Sequence, residues 1–208
     1  MPVSFDLFGT LVAVERLDDP ASAVARELRA RDVAVPDDWD DAYTESHVDA
    51  PEGAEVPLPA HVARALASRG VDAPGNAPRR AVVSAFDPAV EVRDGAHDAV
   101  AAAHEHGPVA VCSNVSVPEL ARRVLVRADL RGEFDAVVTS IGCGWRKPDA
   151  RTFEAVARQL DCEAADLVHV GDDPATDGGI ERAGGTFLDV RDVPLAELPA
   201  RFPDALGR

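Results

Sequence analysis

Five short, almost uninterrupted apolar runs do most to limit how this chain can fold: residues 3–7, 109–112, 136–139, 167–170 and 186–190. Runs of this length without regular polar alternation are strands covered on both faces, the pattern of a parallel sheet. Helical patterns stand between the later ones. Residues 96–106 read as a helix that stops at Gly107. Ser116 and Glu119 have the spacing of a capping box ahead of Val117, Leu120 and Val124. Asp149 can cap a helix whose inner face is Phe153, Val156, Ala157 and Leu160. Strand alternating with helix predicts βαβ units, and so an α/β fold: a Rossmann-like parallel sheet with helices on both faces.

The stretch between the first strand and Arg93 carries no strand signal. It reads as helices over 20–31, 39–47, 59–69 (closed by Gly70) and 77–86, with a Pro/Gly/Glu-rich segment, 51–59, between the second and third. Helices inserted after the first strand of such a sheet predict a small all-helical lid. The expected organisation is a core of 1–14 and 94–208 with a helical cap of 15–93. Trp39 and Tyr43, four apart on one helix, are expected to pack this cap. Its arginines, Arg16, Arg26, Arg29, Arg31, Arg64 and Arg69, read mainly as solvated helix residues.

Bulk properties exclude several classes. A chain of 208 residues can bury an ample core. Its formal net charge of −16 repels phosphate backbones, so no nucleic-acid partner is expected. The acids are scattered rather than gathered in a tail, which predicts an ordered fold with an acidic surface, eased by concentrated salt. No apolar stretch approaches the ~18–20 residues that span a bilayer, and no leader is evident, so a cytoplasmic enzyme is expected. Cys112, Cys143 and Cys162 lack the spacing of a zinc site or a disulfide framework and read as simple buried thiols. The six histidines form no metal-binding pair; His104 and His106 point to different faces of their helix and read as surface residues.

Chemistry gathers where strands end. Asp6, Ser113, Asp172 and, in the loop after the third strand, Lys147 all follow strand candidates. In open α/β sheets the carboxyl ends of the strands line the ligand crevice. Folding would therefore bring one carboxylate, one hydroxyl, one ammonium and an acidic cluster into a single cleft. Lys147 stands out in composition too: every other one of the 21 basic residues is arginine. A compact point charge of particular reach is what arginine cannot replace.

These segments, in this order, resemble the signatures of the haloacid-dehalogenase-like hydrolases. The first is Phe5-Asp6-Leu7-Phe8-Gly9-Thr10-Leu11, the second Val111-Cys112-Ser113-Asn114 and the third Arg146-Lys147-Pro148-Asp149. The fourth is His169-Val170-Gly171-Asp172-Asp173 through Asp177. The resemblance implies that Asp6 is a nucleophile forming a covalent aspartyl intermediate. Thr10 and Ser113 would supply hydroxyl donors, or cap their local turns; Asn114 and Gly9 would lie against a phosphoryl group. Lys147 would neutralise charge on the nucleophile. Asp6, Asp172 and the backbone carbonyl of Phe8 would hold Mg²⁺, with Asp177 reaching it through water and Asp173 the alternative ligand.

One position departs from the family's phosphatases, which carry a second aspartate two residues after the nucleophile. Here it is Phe8. The resemblance then allows a Mg²⁺-dependent hydrolase of a small phosphate ester acting on a phosphorylated metabolite, a 2-haloacid dehalogenase, or a phosphate-binding relative without turnover. The retained acidic cluster favours the first, because phosphate is the natural partner of Mg²⁺.

Overall fold

The computed structural model describes residues 1–206. Along the chain its strands are β1 (Val3–Phe5), β2 (Val12–Val14), β3 (Val90–Val92), β4 (Val109–Ser113), β5 (Ala136–Thr139), β6 (Val168–Gly171) and β7 (Thr186–Asp189). Five of them form one parallel sheet in the order β5-β4-β1-β6-β7, with β1 in the middle. The helices are α1 (Pro20–Arg29), α2 (Trp39–Thr44), α3 (Leu58–Ser68), α4 (Ala77–Ala85), α5 (Ala96–His104), α6 (Leu120–Arg127), α7 (Ser140–Cys143), α8 (Ala150–Gln159) and α9 (Leu198–Leu206). No helix among the described residues is long and apolar enough to cross a membrane.

Both faces of the sheet are buried at its three central strands, β4, β1 and β6, as the unbroken apolar runs require, while the edge strands β5 and β7 are partly exposed. On β4, Val109 and Val111 join a core with Val3, Phe5, α5 and α6, while Ala110 and Cys112 join a second one with Phe153, Val156, Leu167 and Ile180. The inner face expected for α8 is buried throughout, and Asp149 caps that helix by accepting from Arg151 N. Trp39 and Tyr43 meet with ring centres 5.6 Å apart and planes tilted by 54°, and Trp39 donates its indole N–H to Ala21 O. The cysteines are free thiols, but only Cys112 is buried as expected of all three; Cys143 and Cys162, in a short helix and in the turn after α8, are partly exposed.

The segment before Arg93 is not without strands. β2 and β3 pair antiparallel, Val12 opposite Val92, and so bring the two ends of the helical insertion together. Each is three residues long, too short for period-two alternation to register. The capping box at Ser116 and Glu119 does not form either. α6 starts at Leu120, and Glu119 takes a left-handed backbone (φ 64°) that turns its side chain to Arg79, 2.5 Å away. α2 ends at Thr44, short of His47, because Glu45 is extended.

Three helices end alike. Asp32, Asp129 and Asp161 sit at φ 57°, 55° and 53° just beyond α1, α6 and α8. In each case the following residue returns an amide to a carbonyl of the last turn: Val33 to Leu28, Leu130 to Leu125 and Cys162 to Ala157. Glycine ordinarily fills this place, as Gly70 does after α3.

Candidate active site

Asp6 follows directly from the middle strand, where its amide donates to Val170 O at 2.8 Å. The chain then turns tightly: Leu11 N and Val12 N both bond to Leu7 O, and Gly9 N bonds to Val12 O. Gly9 takes φ +95°, and a Cβ there would lie 2.5 Å from the Asp172 carboxylate. Only glycine lets this turn approach the loop after β6 so closely. The amide of Gly9 is therefore committed to its own turn, and its part is to make room rather than to bind an anion. Thr10, fully buried, donates to Asp172 Oδ1 at 3.2 Å.

Lys147 completes the cluster from the other side. Its buried ammonium donates to Asp6 Oδ1 (2.7 Å), Asp177 Oδ1 (2.5 Å) and Cys112 O (2.8 Å). Carboxylate oxygens of Asp6, Asp172 and Asp177 all lie within 4.8 Å of one another. Gly171 permits the approach of Asp177, whose carboxyl group fills the space a Cβ would need. Asp173 stays outside: its carboxylate accepts from Ala175 N and Thr176 Oγ1 and so shapes its own turn. Its amide does contribute, donating to Asp177 Oδ2 at 3.1 Å.

Ser113 and Asn114 leave the end of β4. The Ser113 hydroxyl is buried, with 1% of the residue exposed, and has no hydrogen-bond partner among the described residues. Asn114 does not point freely at the crevice. Its side chain pairs reciprocally with the backbone of Lys147, accepting from Lys147 N (2.8 Å) and donating to Lys147 O (3.0 Å). Phe8 is half-buried and lines a cavity of about 770 Å³ with Val14, Leu17, Leu58, Phe86 and Val117, and with the charged Glu15, Arg16, Asp18 and Asp87 also on its wall.

The electrostatics are those of several charges in little water. Burial pushes the Asp6 carboxyl up to about 6, against the pull of Lys147 and with the push of Asp177. Burial works against Asp177 as a carboxylate as well, but the His169 hydrogen bond and the Lys147 charge outweigh it and hold it low. Lys147 stays charged, because the facing carboxylates more than offset its burial.

Two contributors were not visible as site residues in the sequence. His169 lies buried beneath Asp177, its Nε2 at 3.1 Å from Oδ1, while its Nδ1 meets Ser4 Oγ at 2.8 Å. Ser4 and His169 are register partners on β1 and β6, so one polar residue within each apolar strand was the available signal. Arg93 donates to Gly9 O at 2.6 Å and holds the first turn from outside; nothing in its sequence surroundings marks it.

A family model described as haloacid dehalogenase-like hydrolase matches residues 3–184. The human haloacid dehalogenase-like hydrolase domain-containing protein 3 is 37% identical over 103 residues, covering 48% of this chain but only 40% of that protein. The 2-haloacid dehalogenase from Pseudomonas syringae pv. Tomato DC3000 superposes with a TM-score of 0.63 at 19% identity, covering 100% of this chain and 98% of that one. A HAD phosphatase from Thermococcus onnurineus gives 0.57 at 17% identity, covering 99% and 97%. At these identities the solved structures share the fold, and they stand on both sides of the choice between phosphate and halide chemistry.

Proposed function

Because the chain belongs to the haloacid dehalogenase-like hydrolases, we propose that it is a Mg²⁺-dependent hydrolase of small phosphate esters that uses Asp6 as nucleophile. The observation that carries this reading is the meeting of three carboxylates within 4.8 Å of one another beside a single buried lysine. One ammonium offsets one negative charge and leaves the cluster short of positive charge, which a divalent cation would supply. Asp6, Asp172 and the carbonyl of Phe8 would hold Mg²⁺ and Asp177 would reach it through water, the ion neutralising charge on the phosphoryl oxygens.

The chain's own groups do the rest. The Asp6 carboxylate attacks phosphorus and the ester P–O bond breaks, its electron pair leaving with the departing oxygen as an anion; water then attacks the aspartyl phosphate, releasing inorganic phosphate and regenerating the Asp6 carboxylate. Lys147 fixes Asp6 Oδ1 and so aims its other oxygen. The unpartnered Ser113 hydroxyl and the second amide hydrogen of Asn114 are suited to donate to phosphoryl oxygens, whereas Thr10, whose hydroxyl is spent on Asp172 Oδ1, orients that carboxylate. Residues 15–93 serve as the cap over this core of 1–14 and 94–208, and the substrate is a phosphorylated metabolite of the cytoplasm. With Phe8 in place of an acid, and apolar side chains lining the cavity beside it, the favoured leaving group has an apolar body and departs without protonation.

p-Nitrophenyl phosphate meets that description. Phosphate release from it should need Mg²⁺ and be lost in Asp6→Asn; release that survives either chelator or that substitution removes the reading. Phe8 favours one rival, a 2-haloacid dehalogenase, since a halide needs no proton to leave. Halide released from 2-chloropropionate in chelator would put that rival in its place.

A further inference from the structure

The segment between α2 and α3 reaches onto the two loops that deliver Ser113, Asn114 and Lys147. Its backbone docks first. Glu55 N donates to Gly144 O and Arg146 N to Gly53 O, both at 2.9 Å, which sets Ala54 opposite Trp145. Leu58 N donates to Ser116 O, also at 2.9 Å.

Glu55 lies at the centre of this contact with its side chain 1% exposed. Its Oε2 accepts from Ser140 Oγ at 2.5 Å and from Arg146 Nη1 at 2.8 Å. Each donor leads to a different loop. Ser140 Oγ accepts from Val115 N at 2.8 Å, next to Asn114. Arg146 directly precedes Lys147, and its Nη1 also reaches Ser116 Oγ at 3.1 Å. The side-chain pair of Asn114 with the Lys147 backbone closes the circuit. A buried carboxylate gives up its hydration, and an apolar contact often holds two segments together at least as well. What the carboxylate adds is direction: one oxygen sets the distance between two loops.

We propose that Glu55 is a positioning residue: it fixes the Lys147 loop against the Ser113–Asn114 loop, so that the inserted segment supplies part of the geometry of the catalytic centre. The proposal rests on the reading of Lys147 as partner of the nucleophile, and its test reads the lysine itself.

Lys147 is the only lysine, so an amine-directed reagent, followed by mass spectrometry of the Lys147 peptide, reports a single ε-amine. In the wild type that amine is enclosed by Asp6, Asp177 and the Cys112 carbonyl. Glu55→Ala, with far-UV circular dichroism confirming a folded chain, should raise the labelling rate about tenfold by freeing the loop to open. Glu55→Gln keeps an oxygen that accepts from both donors and should restore protection. Glu45→Ala, which breaks an exposed pair with Arg69 in the same insertion, should leave the rate unchanged. In phosphate release, Glu55→Ala should lower kcat by about 10²-fold with KM little altered, and Glu55→Gln should recover most of it.

If Glu55→Ala does not fold, Arg146→Met decides. Its side chain is 43% exposed, so water can take its place beside Glu55, and this variant too must raise labelling. Wild-type labelling in folded Glu55→Ala, or in Arg146→Met where the first variant fails to fold, overturns the proposal. The labelling result stands even if no phosphate ester is cleaved, so the two readings fail separately.

Discussion

If the chain is a phosphate-ester hydrolase as proposed, the single side chain of Phe8 sets which leaving groups can depart. Phe8→Asp should raise kcat for an alkyl phosphate by about 10²-fold, the usual worth of general acid assistance, and change p-nitrophenyl phosphate far less. Equal effects on both, measured in the same steady-state assay, would show that protonation is not what Phe8 limits. His169 carries a second expectation. Burial lowers its pKa from 6.5 to about 4, against the pull of the Asp177 hydrogen bond. The unfolded chain therefore binds the proton first, and the stability that neutral His169 contributes is present above pH 6.5 and is lost as pH falls toward 4. Asp6, shifted upward, works in the opposite direction over part of this range. The comparison that isolates His169 is the urea stability of the wild type minus that of His169→Asn, without metal. It should shrink by roughly 3 kcal/mol between those pH values. A flat difference would mean that the imidazole is already protonated in the fold. Asp6, Lys147 and Asp172 were legible because each follows a strand in a parallel series, where topology alone makes them converge. His169 and Glu55 were not. Their importance comes from cross-strand register and from contacts with residues far along the chain, which spacing does not encode.

Elements show where local pattern suffices and where it does not. All five sheet strands were legible from uninterrupted apolar runs, and α8 from its cap and its inner face. The β2–β3 ribbon was hidden by its brevity, and the start of α6 by a left-handed Glu119 that no propensity anticipates. Helix ends hold a further expectation. Asp161 stands at φ 53° beyond α8, exposed, where its charge also faces the negative end of the helix dipole. Asp161→Gly should relieve both penalties and stabilise the fold by about 0.5–1 kcal/mol, read as a higher thermal midpoint. A lower midpoint would mean that the aspartate makes a compensating local bond. Asp32 and Asp129 repeat the arrangement, so the three substitutions should add, being far apart in sequence and on separate helices.

For the whole molecule, charge is the governing quantity. With a net charge of −16 and several of its ion pairs at the surface, the fold carries more mutual repulsion than those pairs relieve. Raising ionic strength from about 0.01 M to about 1 M shortens the screening length from roughly 30 Å to roughly 3 Å, and the thermal midpoint should climb with it. A midpoint indifferent to salt would show that the acids are spaced too widely to interact. Repulsion of this kind acts on the periphery, whereas Asp6, the proposed nucleophile, stands just past the middle strand, which is bonded along both edges to β4 and β6. That arrangement separates what can vary from what cannot. On the proposed reading, loops and inserted helices could be recast for new leaving groups while the seat of the covalent step kept its place, as an anvil stays fixed while the work laid on it changes.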